Sequence, residues 1–236
     1  EKYGIKSFVL YDDNLFAMRK QAKELLRQMV DRKLDLKWHV SSFAIFVIDD
    51  EMLDLMAAAG CIGVNVAIES GNPRVLKEII NKPIKDLYAV PKLISGIKKR
   101  GMYVLANFII GNPGETWEEI RETINFAENC GADYVKFFIA VPLQGTDMYE
   151  MARKLNAFEQ DHEADNPKLD WRFSQLKSDE WTSKDVSILR VYEWDRINFA
   201  PDRIERTAEI WGVPVDKLNQ IRQDTRRALQ AEAMNA

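Results

Sequence analysis

The sequence predicts an α/β protein in which parallel strands alternate with amphipathic helices. Short apolar runs rich in β-branched and aromatic residues recur along the chain, and each is followed by a segment whose apolar residues repeat at helical spacing. Strands of this type that alternate with helices are typical of βαβ units, which build a parallel sheet, either open or closed into a barrel. Five strand units are visible in the sequence.

The elements follow one another without long interruptions. A strand is predicted over 5–11, and the helix after it, over 15–34, places Leu25, Leu26 and Met29 at helical spacing. The next predicted helix has Asp49 or Asp50 as its cap and Gly60 as its stop. The remaining predicted elements are strands over 37–43, 62–68, 102–110 and 134–141, and helices over 50–59, 73–80, 89–100 and 115–129.

The pattern changes after Pro142. Residues 156–185 are polar with scattered aromatic side chains and no clear period, which favours an irregular loop. The sequence predicts helices again from Ser183 onward, with breaks near Pro201 and at Gly212. We therefore expect three segments: an α/β domain over 1–152, an irregular loop over 153–182 and a helical extension over 183–236.

Composition excludes several classes of function. The 236 residues are 46% hydrophobic, enough for one substantial core, and the net charge of -4 leaves no electrostatic signal for nucleic-acid binding. The apolar stretches are too short for a membrane span, and the chain opens without Met or an apolar leader, as a segment from within a longer protein would. Cys61 and Cys130 are too few for a disulfide framework, so we expect a reducing, cytoplasmic location.

Polar residues gather where the predicted strands end. Ligands of parallel α/β folds bind at the carboxyl ends of the strands, so these turns are the candidate site. Asp12 and Asp13 could equally cap the next helix, and the glycine turn 111–115 lacks the Lys that a nucleoside-triphosphate loop requires. His39 and His162 have no partner at metal-ligand spacing. The strand-end candidates are Asp12, Asp13 and Asn14, then Glu69, Ser70 and Gly71, then Gly111 to Thr116, and finally Pro142 to Thr146.

Four segments carry a resemblance to a known family. They read FVLYDDNLF, LMAAAGCIGVNVAIESGNPRVLKEIINK, GMYVLANFIIGNPGETWEEIRETINFAE and ADYVKFFIAVPLQGTDMYE. In this order they resemble successive strands of the radical SAM superfamily, in the branch of cobalamin-dependent enzymes and methylthiotransferases. The resemblance covers about residues 1–152, and it implies a partial TIM-type (β/α) barrel. The tail from EWDRINF onward is similar to C-terminal helices of cobalamin-type members.

The resemblance also implies a site for S-adenosylmethionine. Residues after the first visible strand would contact the methionine amino group, and the end of the third visible strand would meet the ribose or methionine moiety. The next glycine turn would approach the adenine and ribose, and the last visible strand would supply backbone contacts to adenine. The implied positions are Asp12, Asp13, Asn14, Glu69, Ser70, Gly71, Ile109, Gly111, Pro113, Val141, Pro142 and Leu143.

One family feature is missing from this chain. Family members hold a four-iron four-sulfur cluster on three cysteines spaced Cys-x3-Cys-x2-Cys, and this chain has only two distant cysteines. The resemblance therefore implies that the cluster ligands lie upstream, as does a cobalamin-binding domain where cobalamin is used. The implied reaction is radical or methyl-transfer chemistry on a small-molecule or lipid-like substrate. Without the cluster ligands, this chain alone would be inactive.

Two other readings remain open from the residues. Asp12, Asp13 and Glu69 could bind a hard metal such as Mg²⁺ in a TIM-barrel-like enzyme. That reading needs eight strand units, and five are visible. Alternatively, the aromatic stretch from Trp171 to Trp194 could be the docking surface of a non-catalytic interaction domain.

Overall fold

Five parallel strands form one sheet whose order follows the chain, β1-β2-β3-β4-β5. The structure is a computed structural model that describes residues 3–12, 15–82, 84, 86–159 and 173–228. The α/β class and the five parallel strands predicted from the sequence are confirmed. The strands are β1 (Ser7–Leu10), β2 (Lys37–Phe43), β3 (Cys61–Glu69), β4 (Tyr103–Ile110) and β5 (Tyr134–Ile139).

The strands have one closely packed face. In β4 the even-numbered residues from Val104 to Ile110 are buried, and the odd-numbered residues from Tyr103 to Ile109 are only partly buried. In β3 the residues Val64, Val66 and Ile68 are fully buried. Because successive side chains of a strand point to opposite faces, the alternation separates a packed face from an open one.

Eight α-helices accompany the sheet in the part of the chain that the structure describes. Asp49 caps α2 by accepting from the Met52 N–H, which decides between the two candidates, Asp49 and Asp50, that the sequence offered. The segment predicted as a helix over 73–80 forms a π-helix instead, Val75–Ile79. The helices are α1 (Arg19–Asp31), α2 (Asp50–Ala58), α3 (Val90–Lys98), α4 (Trp117–Asn129), α5 (Asp147–Lys154), α6 (Ser183–Asn198), α7 (Ile204–Trp211) and α8 (Val215–Ala228).

The chain divides into two compact units. Unit 1 is built around Trp38, which is fully buried and donates its indole N–H to the Ala59 carbonyl at 2.8 Å. The Tyr103 ring stacks on His39, and its hydroxyl lies 3.1 Å from His39 Nδ1. A Cβ at Gly63 would lie 2.2 Å from this ring, so only glycine fits there. Unit 1 comprises Glu1–Ile68, Asp86–Asn107 and Asn129–Tyr134.

Unit 2 has its core on the packed face of β4 and β5. The Phe108 ring lies 6.3 Å from Phe126 of α4 and 5.9 Å from Phe137 of β5. Phe108 and Phe137 therefore lie on the face of their strands that packs against α4. Unit 2 comprises Glu69–Lys85, Phe108–Glu128 and Val135–Ala236.

Helix α6 covers the outer edge of β5, the last strand of the sheet. Asn198 accepts from the Val135 N–H at 2.7 Å and donates to the Val135 carbonyl at 2.8 Å. Arg190 donates to the Phe137 carbonyl at 2.8 Å. The two side chains take the place of a neighbouring strand and satisfy backbone groups that would otherwise be unpaired.

The predicted loop over 153–182 falls partly on residues 160–172, which lie outside the described residues. Next to that gap, Phe158 and Leu176 pair in an antiparallel bridge. The predicted division at residues 152 and 182 remains a prediction. Among the described residues, no helix is both long and apolar enough to cross a membrane.

Candidate functional site

Glu69 ends β3 in an unusual backbone conformation. Its φ of +74° lies in the left-handed region, which non-glycine residues rarely adopt and which costs about 1–3 kcal/mol. Lys82 donates to its Oε1 at 2.9 Å, whereas Oε2 accepts no hydrogen bond from the described residues. The side chain is 17% exposed. One oxygen of a partly buried carboxylate is therefore available at the carboxyl end of the strand.

The next two residues are held by α4. The Ser70 hydroxyl is fully buried, lies 2.9 Å from the Thr123 hydroxyl and accepts from the Asn72 N–H. The Gly71 N–H donates to the same Thr123 hydroxyl at 3.1 Å, and a Cβ at Gly71 would lie 2.5 Å from Phe126 Cβ. Serine and glycine at these positions thus fix the turn onto the helix, so the Ser70 hydroxyl is already engaged.

The glycine turn after β4 is held from within by a buried carboxyl group. Glu115 is 1% exposed and accepts from the Asn112 N–H at 2.8 Å and from Asn112 Nδ2 at 2.9 Å. Burial raises the pKa of Glu115 to about 7, despite these hydrogen bonds. Trp181 donates its indole N–H to the Glu115 carbonyl at 2.8 Å. The hydrogen bonds from Asn112 to the Glu115 carboxyl group and from Trp181 to the Glu115 carbonyl therefore hold the turn in place.

Gly111 is required for packing as well as for its backbone conformation. Its φ is +75°, and a Cβ there would lie 2.8 Å from Cγ1 of Val186 in α6. Pro113 is buried in the same turn, and Ile109 lies partly buried on the open face of β4. The sequence suggested close approach of a nucleoside as the reason for the glycine. The structure adds the contact with α6, which only glycine permits.

Two buried acceptors in this turn lack partners. Asn112 Oδ1 and Glu115 Oε1 accept no hydrogen bond from the residues that the structure describes. Unpaired buried acceptors are uncommon in folded proteins and require an explanation. Both oxygens lie inside the turn, shielded from solvent.

An ion pair supports the turn, and the sequence alone did not reveal it. Arg74 Nε and Nη2 both donate to the Glu119 carboxylate at 2.5 Å, and Nη2 also donates to the Gly114 carbonyl at 2.9 Å. The Thr116 N–H donates to the same carboxylate at 2.9 Å. The Arg74 guanidinium lowers the pKa of Glu119. Thr116 and Glu119 have the spacing of a capping box, which was the available signal for the role of Glu119 in this turn.

The residues after β5 begin a helix. Val141 is partly buried, Pro142 is buried and Leu143 is 40% exposed. The Leu143 carbonyl accepts from the Thr146 N–H at 3.1 Å and from the Thr146 hydroxyl at 2.7 Å. Thr146 in turn caps α5 by accepting from the Tyr149 N–H. This helix was not predicted.

Of the three candidate residues that follow β1, the structure describes one. Asp12 is exposed in unit 1, and Asp13 and Asn14 lie outside the described residues. Within the described ranges, no group of three or more His, Cys, Asp or Glu side chains could hold a metal ion. The alternative Mg²⁺ site would need Asp13, which lies outside the described residues.

The two cysteines do not fit an iron–sulfur cluster. Cys61 begins β3, Cys130 precedes β5, and both are buried free thiols. Burial raises the pKa of Cys61 to about 12, whereas a cluster needs thiolates. Cys61 and Cys130 therefore cannot hold such a cluster.

The described part of the aromatic stretch contains one buried tryptophan and other aromatic side chains that are partly buried or exposed. Trp181 is 2% exposed, and Trp194 makes an edge contact with Phe199 at 5.0 Å. Trp171 lies outside the described residues. Since Trp181 anchors the glycine turn, part of the stretch predicted as a docking surface serves the candidate site instead.

A parallel α/β sheet with polar turns at its strand ends defines a cofactor-binding α/β domain. The family model for the radical SAM superfamily matches residues 1–127, and the chain belongs to that superfamily. The resemblance stated from the sequence is thereby confirmed.

Two relatives that are named as methyltransferases are similar to this chain over nearly two thirds of its length. Cytidylyl-2-hydroxyethylphosphonate methyltransferase of Streptomyces wedmorensis is 38% identical over 155 residues, which are 63% of this chain and 28% of that protein. An uncharacterised methyltransferase of Pyrococcus horikoshii is 36% identical over 151 residues, 64% of this chain and 32% of that protein. The chain thus spans about a third of the length of these curated relatives.

A solved structure agrees in fold. TsrM from Kitasatospora setae, a radical S-adenosylmethionine methyltransferase with cobalamin and a [4Fe-4S] cluster bound, matches with a TM-score of 0.60 at 25% identity. The match covers 70% of this chain and 35% of TsrM.

Proposed function

We propose that this chain is the part of a radical SAM methyltransferase that binds S-adenosylmethionine at the carboxyl ends of β3, β4 and β5. The observation that carries the proposal is the Glu69 carboxylate, which Lys82 holds through one oxygen and whose other oxygen accepts no hydrogen bond from the described residues. The methyltransferase relatives and the cofactors bound to TsrM support the same conclusion.

Each residue of the site has a separate task in this proposal. The Glu69 carboxylate accepts hydrogen bonds from the ammonium or ribose hydroxyl groups of the ligand. Ile109 offers apolar contact on the open face of β4. Gly111 and Pro113 shape the turn, and Val141 to Leu143 lie where their backbone could meet the adenine.

Ser70 and Gly71 contribute differently from the carboxylate. The Ser70 hydroxyl and the Gly71 backbone N–H both bond to Thr123 of α4, so their task is to hold the turn that follows Glu69. Asp12, Asp13 and Asn14 remain proposed contacts of the methionine amino group. They stand on the family resemblance alone.

The cofactors supply the reaction itself. When bound, S-adenosylmethionine with a [4Fe-4S] cluster provides a methyl group or an adenosyl radical, and cobalamin provides a methyl carrier in the cobalamin-dependent branch. We place the cluster ligands outside this chain, because neither Cys61 nor Cys130 suits a cluster, and we place a cobalamin-binding domain upstream on the family resemblance. The residues of this chain orient the ligand and shield it from water. Two free buried cysteines support a reducing, cytoplasmic location.

The Glu69→Gln variant tests this proposal. It keeps the shape and one acceptor but loses the charge, and charge-assisted hydrogen bonds are worth about 1.5–3 kcal/mol. S-adenosylmethionine should bind about ten-fold more weakly or worse, measured by calorimetry on the anaerobically reconstituted protein from its complete gene. A thermal melt of the variant shows that the fold is kept.

Glu128→Gln is the matched control. Glu128 is also ion-paired, with both oxygens 2.7 Å from Arg196, but it lies in the last turn of α4. It should leave the affinity for S-adenosylmethionine unchanged. Equal affinity in the wild type and a folded Glu69→Gln variant would remove Glu69 from the site and refute the proposal.

A further inference from the structure

The open face of β5 carries a lysine whose charge is not neutralised by any of the residues that the structure describes. Val135, Phe137 and Ile139 are buried, and Phe137 packs against Phe108 toward α4. Lys136 therefore lies on the opposite face, where it is partly buried. A lysine in the middle of a strand is unusual, because buried ammonium groups are stable only with a partner.

No carboxylate among the described residues pairs with Lys136, and no other hydrogen bond reaches it. Desolvation is the cause that lowers its pKa, with no opposing charge. Most half-buried cations of unit 2 are matched by a carboxylate. Examples are Arg74 with Glu119, Lys82 with Glu69, Arg196 with Glu128, and Arg222 with Asp195.

The surroundings of Lys136 indicate what could pair with it. Phe138 lies two residues further along the same face and is 37% exposed. Ile109 of the neighbouring strand β4 also lies on the face opposite Phe108. An oxyanion would neutralise the ammonium, and a ring or alkyl body attached to it would cover the apolar side chains. A metal cation would be repelled, and a neutral ligand would leave the charge unpaired.

We propose that Lys136 binds the anionic group of the substrate, a carboxylate or a phosphorus oxyanion attached to an apolar or ring-shaped body. The assignment rests on the proposed function in one respect, namely that the open face of β5 holds the substrate. The carboxylate of S-adenosylmethionine is the other possible source of the anion, and the experiment separates the two.

The test uses NMR of the protein from its complete gene, with lysines labelled by reductive ¹³C-methylation. The signal missing from Lys136→Arg identifies Lys136, and the exposed Lys154 of α5 serves as the reference lysine. The probes are phenylphosphonate and benzoate, with inorganic phosphate and acetate as their ring-free counterparts. S-adenosylmethionine is titrated separately.

We expect the Lys136 signal to move saturably with phenylphosphonate or benzoate, and at lower concentration than with phosphate or acetate. In Lys136→Gln the same ligand, followed through its own signals, should bind about ten-fold more weakly. The affinity for S-adenosylmethionine should stay unchanged in this variant. Lys136→Gln removes a poorly solvated charge, so it should fold at least as well as the wild type.

Three results would overturn the proposal. The first is a Lys136 signal that does not shift with phenylphosphonate or benzoate. The second is a Lys136 signal that shifts no more than the signal of Lys154. The third is a response to S-adenosylmethionine alone, which would assign Lys136 to that cofactor. If Glu69→Gln binds S-adenosylmethionine normally while Lys136 still binds anions, the proposed function fails and the anion site stands.

Discussion

Glu115 makes a pH-dependent contribution to stability whose sign and size follow from its burial. Its pKa rises from 4.5 to about 7 in the folded protein. Below pH 4.5 the carboxyl group is protonated in both the folded and unfolded states, so it has no differential effect. Between pH 4.5 and about 7 only the unfolded state loses its proton, so the free energy of unfolding falls as the pH rises. The total loss is about 3 kcal/mol.

The Glu115→Gln variant isolates this contribution. An amide can still accept from the Asn112 N–H, but it has no proton to lose. Urea unfolding from pH 5 to pH 8 should show the wild type losing stability relative to Glu115→Gln, by about 3 kcal/mol at most. Far-UV circular dichroism at each pH gives the free energies, and their difference cancels the titration of all other groups.

Glu119→Gln is the control from the same segment. Arg74 lowers the pKa of Glu119, so its contribution is present above pH 4.5 and is lost only as the pH falls below that value. The variant should be less stable than the wild type from pH 5 to pH 8, and this difference should change with pH much less than the Glu115→Gln difference, because the Glu119 charge is only a secondary cause of the raised pKa of Glu115. If the Glu115→Gln difference were as flat as this one, the reasoning about the buried carboxyl would be refuted.

Two further predictions concern packing. Gly63→Ala should destabilise unit 1 by about 1–3 kcal/mol, because the new methyl group meets the Tyr103 ring. Urea titrations should show that this cost shrinks in a Tyr103→Ala background, and an unchanged cost would contradict the contact. Asn198→Ala should cost about 2 kcal/mol or more, because it leaves both backbone groups of Val135 unpaired. Hydrogen exchange at the Val135 amide should accelerate in that variant, and unaltered exchange would show that α6 does not protect the edge.

The fold class could be predicted because the periodicity is strong and local. The predicted bounds of β2, Lys37–Phe43, are those observed, and the cap of α2 was narrowed to Asp49 or Asp50 from their position before an apolar run. Helix α5 was missed because it is only eight residues long and follows a proline-containing turn. The sequence also gave no sign that α6 would cover β5, since Asn198 acts through a pairing that no local pattern encodes.

The candidate site was less predictable, because residue type does not reveal which partner a side chain finds. Glu69 was singled out as a carboxylate at a strand end, but the ion pair with Lys82 depends on the turn between them. Gly111 was expected to make room for a ligand, whereas the nearest atom to a Cβ there belongs to Val186. Glu115 closes the glycine turn, and this position was the signal in the sequence that its carboxyl group could be buried there.

The position of a side chain on its strand separates ligand contacts from packing better than polarity does. Ser70 is polar and stands at a strand end, yet its hydroxyl is engaged with Thr123. Lys136 lies in the middle of β5 and so was not among the strand-end candidates, yet its ammonium group has no partner among the described residues. The alternation that buries Phe137 puts Lys136 on the open face, so the same pattern that builds the core of unit 2 also selects the residue available to a substrate.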